Sequence, residues 1–347
     1  MANKTDIRFL SPEELKDFFI SKNEKAFRAR QVWEWLWKKS ARSIDEMTNV
    51  SLATREMLKE HFIFETASPE ITSISKDRTI KTAFRFRQGH IAEGVLIPSD
   101  NRMTACISSQ VGCSLACKFC ATGKLGLTRN LTFDEMYDQV AIIGKQAQEH
   151  YSHHLTNIVF MGMGEPLLNY DNLLKAINRI TSPDGLNLSP SRITVSTVGL
   201  TKMIKKLGDD EVKFNLALSL HAANDKKRSQ IIPVNEQNSL KKLAEALKYF
   251  YNKTGTRITL EYLILDRFND SLADARELAE FCKNFPCKIN IIEYNAVEET
   301  DFRKSREISV LGFAGYLETK NIIVNIRKSR GEDIDAACGQ LAGKISK

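Results

Sequence analysis

The segment Cys113-Ser114-Leu115-Ala116-Cys117-Lys118-Phe119-Cys120 carries three thiols in eight residues, between a strand pattern at 104–108 and a helix pattern near 132–148. A loop in that position opens onto the carboxyl-terminal mouth of a parallel sheet, where α/β folds carry out their chemistry. Three thiolates so spaced hold three irons of a 4Fe-4S cube and leave the fourth without a protein ligand. The competing reading is zinc, which needs a fourth ligand, with His221 or Cys106 as candidates, and usually presents paired cysteines at two separate knuckles.

Outward from this loop the pattern repeats. Candidate strands at 104–108, 157–161, 192–196, 214–219, 257–264 and 288–292 alternate with amphipathic helices near 132–148, 170–180, 199–207, 239–252 and 270–284. A helix at about 303–319 and a strand at 322–326 close the series. Alternation of this kind implies right-handed crossovers and a parallel sheet. The fold class is therefore α/β, and six strands, too few for a closed eight-stranded barrel, predict an open partial (β/α)6 barrel over residues 99–347.

Upstream, the period shortens to two. Thr82-Ala83-Phe84-Arg85-Phe86 and Ile91 to Ile97 flank Gln88-Gly89-His90, which predicts a connecting β-hairpin over 76–98. Residues 1–75 read as a small helical accessory domain. Ser11-Pro12-Glu13-Glu14 forms a capping box with proline at the first helical position. Phe27, Val32, Trp33, Leu36 and Trp37 share an apolar face, leaving Trp35 pointing elsewhere, and a third helix runs from about Ser51 to His61. A helical aromatic stripe is more often core than a base-stacking surface.

At 347 residues and 42% hydrophobic content the chain can bury a large core without covalent staples. No run approaches the ~20 apolar residues of a membrane span, and Lys4, Asp6 and Arg8 occupy the place of a signal-peptide core, so a cytoplasmic, membrane-free, monomeric protein is expected. Seven cysteines without an export signal favour metal or thiol chemistry over a disulfide framework. The net charge of +7 tolerates a polyanionic partner, yet the first fifty residues hold ten basic against eight acidic side chains, so charge alone does not point to RNA.

With its C-x-x-x-C-x-x-C loop, and with Gly162-Met163-Gly164-Glu165-Pro166 after the second strand, the chain resembles the radical S-adenosylmethionine (SAM) superfamily. That resemblance implies one 4Fe-4S cluster on Cys113, Cys117 and Cys120, whose open iron is chelated by SAM, and a glycine-rich turn that receives the SAM amino group. The match narrows with Met161 to Asn169, Ser219-Leu220-His221, Arg327 to Asp335 and Ala336-Ala337-Cys338-Gly339-Gln340-Leu341. Over essentially its whole length the chain resembles the RlmN family. The resemblance implies methylation of carbon 2 of an adenine in 23S rRNA and, in some tRNAs, of the adenine beside the anticodon, at two SAM per turnover and with an external electron donor such as flavodoxin. Cfr, a relative acting at carbon 8, reads Gly-Glu-Ala where this chain has Gly164-Glu165-Pro166. A zinc-stapled, non-catalytic RNA-binding protein is the rival of another class.

The resemblance assigns Cys338 as the cysteine that carries the methyl group, Cys106 as the resolving thiol, and Glu93 as the acid-base residue. For SAM it adds Gly164, Glu165, Ser196, Ser219, Leu220, His221 and Asn295. Each has a plainer alternative: a single buried cysteine is usually a small hydrophobe, and a lone histidine usually a structural one. Strand alternation places Glu93 with Ile91, Val95 and Ile97, which predicts a carboxyl among aliphatic side chains, or else a solvated edge residue. Cys282 and Cys287 match no motif and read as packing residues. Phe84, Arg85, Phe86 and Arg87 interleave aromatic and basic groups as an RNA surface would, although alternation sends the aromatics inward.

Overall fold

Capping chemistry starts the helices. The Ser11 hydroxyl accepts from the Glu14 amide while the Glu14 carboxylate accepts from the Ser11 amide, which launches α1 (Pro12–Ser21). In the computed structural model, which describes residues 4–298 and 300–343, α2 (Phe27–Trp37) and α3 (Leu52–His61) complete the accessory module. Val32, Trp33, Leu36 and Trp37 are buried, and Trp35 lies half-buried at the side with its indole N–H donating to Asn49 at 2.5 Å.

The chain then builds β1 (Ser68–Ile74), β2 (Ile80–Arg85), β3 (Ile91–Ser99), β4 (Arg102–Cys106), β5 (Gln110–Cys113), α4 (Ala121–Lys124), β6 (Gly126–Asn130), α5 (Phe133–Tyr151) and β7 (Asn157–Phe160). There follow α6 (Tyr170–Thr181), β8 (Ile193–Thr197), α7 (Thr201–Asp209), β9 (Asn215–Ser219), α8 (Asp225–Ile231), α9 (Leu240–Thr254) and β10 (Ile258–Ile264). Last come α10 (Leu272–Cys282), β11 (Cys287–Glu293), α11 (Glu307–Glu318) and β12 (Val324–Arg327). One ten-stranded sheet runs β1-β2-β3-β4-β7-β8-β9-β10-β11-β12, with antiparallel pairs up to β4 and parallel pairs from β4 onward. The parallel part is the predicted open barrel, with β12 as a seventh strand.

Two expectations are corrected here. Residues 68–74, counted with the helical module, form β1, because Pro69 and the alternating Ile71, Ser73 favour an extended edge strand. The hairpin is no separate linker either: β3 pairs with β4, so the antiparallel strands extend the barrel sheet.

The accessory module joins α5 through a buried charge network as well as through apolar packing. Arg8, 1% exposed, reaches Asp134 at 2.7 Å and Asp138 at 2.9 Å, while Arg87 pairs with Asp6 at 2.5 Å and Asp134 at 2.7 Å. Burial opposes ionisation of Asp134, but the Arg8 and Arg87 guanidiniums hold it below the usual carboxylate range. Trp37 stacks edge-on with Tyr137 at 5.1 Å, and a single apolar core runs from Ile7 through Trp37 to the barrel. Among the described residues no helix is long and apolar enough to cross a membrane.

Candidate active site

A cavity of about 390 Å³ fills the barrel beneath its carboxyl-terminal mouth. Cys113, Cys117 and Cys120 all line it. Cys113 ends β5, opposite Gly126 of β6, and Ala116 turns the chain with a left-handed φ of 51°. Leu115 and Phe119 pack against Ile231 and Ile232, so the loop stands in an apolar wall. Burial pushes the Cys113 thiol up to about 11 and Cys117 further still, with the neighbouring thiols adding to it. Two desolvated thiols that cannot readily ionise on their own, with Cys120 beside them, suit a set neutralised by bound metal. Among the described residues no three His, Cys, Asp or Glu side chains converge on a point for one ion. Nor is His221 a free zinc ligand through Nδ1, which accepts from the Leu263 amide at 2.9 Å. An all-thiol set spread around a cavity wall fits an iron-sulfur cluster, in which each thiolate binds its own iron.

The glycine-rich turn after β7 is held by close contact. A Cβ on Gly162 would stand 2.7 Å from the Ser108 hydroxyl and 2.8 Å from the Ile107 backbone, and Gly164 adopts φ +98°. The turn aims Glu165 into the cavity, where its carboxylate accepts from the Val198 amide at 3.0 Å and the Leu167 amide at 3.1 Å. Burial nonetheless raises its pKa to about 7, so an ammonium ion placed beside it would gain from its charge. Ser196, Ser219, His221 and Asn295 line the same cavity, with the two serine hydroxyls 3.3 Å apart. His221 is neutral, depressed to about 3 by burial and by Arg228; since Nδ1 accepts, its proton sits on Nε2. Leu220 differs from its neighbours. Its side chain is fully buried away from the cavity, and its amide and carbonyl are spent on Glu261 and Arg228.

Cys106 at the end of β4 and Cys338 face the cavity from different elements. Cys338 is exposed, and its accessible surface opens onto the cavity. Burial pushes it up to about 11, with the charge of Glu261 adding; burial together with the Cys338 thiol raises Cys106 above the ordinary thiol range. The segment carrying Cys338 is a strap across the open side of the barrel. Asp77 accepts from the Gly331 amide at 2.9 Å, Ser75 donates to Asp333 at 2.5 Å, and Gly339 and Leu341 offer carbonyls to the Ala121 amide and the Thr122 hydroxyl at 2.7 and 2.6 Å. The Asn295 amide donates to the Cys338 carbonyl at 3.3 Å.

Glu93 is buried, but its surroundings are polar where an aliphatic face was predicted. One carboxylate oxygen accepts from the Ala342 and Gly343 amides at 2.8 and 2.9 Å, and the other pairs with Lys81 at 3.3 Å. Since Val95 pairs with Cys106, Glu93 lies two residues nearer the mouth, beside Ser108, whose hydroxyl donates to its carbonyl at 2.6 Å. Glu93 is thus the pin that holds the strap's far end.

The comparisons with known proteins agree with this geometry. Residues 5–64 match the model described as ribosomal RNA large subunit methyltransferase N-terminal domain, and residues 107–282 match the radical SAM superfamily. The chain is 58% identical to a probable dual-specificity RNA methyltransferase RlmN of Cytophaga hutchinsonii, over 98% of this chain and 93% of that protein. The chain belongs to the RlmN family of radical SAM proteins. The RlmN of Geobacter sulfurreducens is 43% identical over 99% of this chain and 94% of its own length. A crystal structure of a radical SAM methyltransferase from Sphaerobacter thermophilus superimposes with a TM-score of 0.93, at 37% identity, covering 98% of this chain and all of that one.

Sequence reasoning missed two parts of this RlmN-family site. Arg228 on α8, fully buried, donates to the carbonyls of Leu220 at 3.0 Å and Ser219 at 3.2 Å, to the Val198 carbonyl, and to the Asn235 side chain at 2.6 Å. It braces the loops after β8 and β9 from below, and an arginine in a short polar helix carries no local signal of that. Glu261 and Asn290, side by side on β10 and β11, place a buried carboxyl on the cavity wall; only the inward alternation Thr259, Glu261, Leu263 hinted at it. Conversely, the interleaved patch is committed elsewhere. Phe84 and Phe86 are core, Arg85 pairs with Glu70 at 2.6 Å, and Arg87 belongs to the Asp6 and Asp134 network. Cys282 and Cys287 are partly buried and hydrogen-bonded to one another, outside the cavity.

Proposed function

We propose that this radical SAM RNA methyltransferase methylates carbon 2 of an adenine in 23S rRNA and of the adenine beside the anticodon in some tRNAs. The observation that carries the reading is one cavity lined by the three-cysteine loop, by Glu165 and by both Cys106 and Cys338. Carbon 2 lies between two ring nitrogens and is too electron-poor to attack an electrophilic methyl group, so the chemistry calls for a radical. Cys113, Cys117 and Cys120 would hold the cluster; Glu165, Ser196, Ser219, His221 and Asn295 would hold SAM. When bound, these two supply a methyl group and a hydrogen-abstracting radical, at two SAM per turnover, with the electron from an external donor such as flavodoxin.

The chain's own residues divide the remaining work. Cys338 Sγ carries the methyl carbon as a thioether and presents it to the base. Glu93 takes the proton that carbon 2 gives up, which requires it to exchange its strap amides for substrate. Cys106 Sγ, having given up its proton, then attacks Cys338 Sγ; the Cys338 sulfur–carbon bond breaks, and the carbon leaves with the bonding pair and takes up a proton as the methyl group on the base, leaving a Cys106–Cys338 disulfide for an external thiol to reduce. The resting thiols are held protonated by burial, so this last step must await a rearranged, product-loaded site. We assign the helical module that precedes β1 to RNA contact, and a monomer working in the cytoplasm. Full-length relatives bearing the RlmN name disfavour the Cfr-like alternative.

The test is anaerobic reconstitution with labelled SAM and an RNA substrate, followed by mass analysis of nucleosides and of the Cys338 peptide. Expected are 2-methyladenosine and a methylated Cys338. Iron-free protein, or label on carbon 8, overturns the reading.

A further inference from the structure

Two buried carboxyls face the cavity, and they serve different ends of it. The charge of Glu165 reaches Cys113 and Cys117, whereas that of Glu261 reaches Cys338. Glu165 is held on the turn after β7 by the Val198 and Leu167 amides, whereas Glu261 stands three strands along, on β10, in the cavity wall that Cys338 also lines.

Glu261 is 7% exposed and points inward from β10. One of its oxygens accepts from the Asn290 amide at 2.8 Å, and Asn290 is itself fixed because its own oxygen accepts from the Asn325 amide at 3.2 Å. The other oxygen has no hydrogen-bond partner among the described residues, and no lysine or arginine approaches to ion-pair distance. Arg327 and Lys288 favour its charge from further away, while burial raises its proton affinity. A buried acceptor held rigidly on one side and open to the cavity on the other is built to receive an N–H or O–H donor from a ligand.

Resting on the function proposed above, we propose that the free oxygen of Glu261 accepts a hydrogen bond from the exocyclic amine of the target adenine, which makes Glu261 a base-specificity residue. In adenine the amine and carbon 2 flank the same ring nitrogen, so a base with carbon 2 at Cys338 offers that amine to a carboxylate near the same thiol. Guanine and hypoxanthine carry an oxygen at the amine's position, and a carboxylate there repels it. SAM would bring donors of its own into this cavity, its ribose hydroxyls and its adenine amine among them, and the experiment separates SAM from the RNA base.

The anaerobic holoenzyme is assayed on two RNA substrates, one with the target adenosine and one with purine riboside, which lacks the amine, in its place. Wild type is expected to lose about tenfold or more in kcat/KM on the purine substrate. Glu261→Gln offers one acceptor for two donors, Asn290 and the base, so its preference for adenosine is expected to fall within about twofold. Methylation of Cys338 from labelled SAM without RNA is followed in both proteins, so that an effect on SAM binding is read apart from an effect on base recognition. A wild type indifferent to the amine overturns the proposal without any variant. A Glu261→Gln enzyme that keeps the full preference, or a raised KM for SAM at equal loss on both substrates, also overturns it and in the latter case assigns Glu261 to SAM. If wild type forms no 2-methyladenosine from the ordinary substrate, the proposed function itself fails, which is a distinct result.

Discussion

Replacing Arg228 by methionine isolates what a buried cation does for the cofactor shelf. The guanidinium makes four hydrogen bonds, three of them to the carbonyls of Val198, Ser219 and Leu220 and one to Asn235. Bonds from a charged donor contribute about 1.5–3 kcal/mol each, so removing all four forfeits roughly 6–12 kcal/mol. Against this, burial already costs the arginine about 3 kcal/mol, as its pKa is brought down to about 10. Water reaching the freed carbonyls from the cavity trims the balance further, and a net loss of about 3–5 kcal/mol is expected from buried acceptors left without their donor. Because Ser219 and His221 ride on those carbonyls, the KM for SAM should also rise about tenfold. Urea denaturation of the anaerobic protein by circular dichroism gives the first quantity, and the rate of Cys338 labelling against SAM concentration gives the second. A variant within 1 kcal/mol of wild type and with an unaltered KM would refute the bracing role.

Arg8→Met should cost about 3–5 kcal/mol by leaving Asp138 buried without its cation and Asp134 with Arg87 alone, and hydrogen exchange should show the accessory module opening first; uniform protection would contradict this. In cluster-free protein, His221 is neutral when folded, with a pKa near 3, but takes a proton below about 6.5 when unfolded. The unfolded state binds more protons between those values, so the stability difference between wild type and His221→Asn should shrink by up to about 1.4 kcal/mol for each pH unit below 6.5; parallel curves would sink the assignment. Asparagine keeps an acceptor for the Leu263 amide and tolerates the φ of +58° at this position. Gly162→Ala forces a methyl group against the Ile107 backbone and should destabilise by about 1–3 kcal/mol while displacing Glu165; a fully active, equally stable variant would show that the turn can relax.

The strand and helix alternation after residue 99 was legible because each element carries its own period. The parallel strands lie within about two residues of their predicted bounds, and the capping box at Ser11 works as written. β1 was not legible, since an edge strand with one polar, exposed face has little apolar alternation to show. The candidate site divides in the same way. Spacing in the chain revealed the cysteine triad and the glycine-rich turn, because ligands from one loop are set by local geometry.

What sequence alone determined, then, is the order of the parallel strands and the main helices between them, the mouth of the sheet as the place of chemistry, and the three thiols that stand there. Only the tertiary structure decided that Glu93 holds a strap some 250 residues away, that Arg228 braces two loops, that Leu220 turns into the core, and that Glu261 lines the same cavity as Cys338. The reason is physical. Periodicity records which side of its own element a residue occupies, whereas a charge's worth depends on which distant groups folding brings within hydrogen-bond reach, and no local pattern encodes that distance.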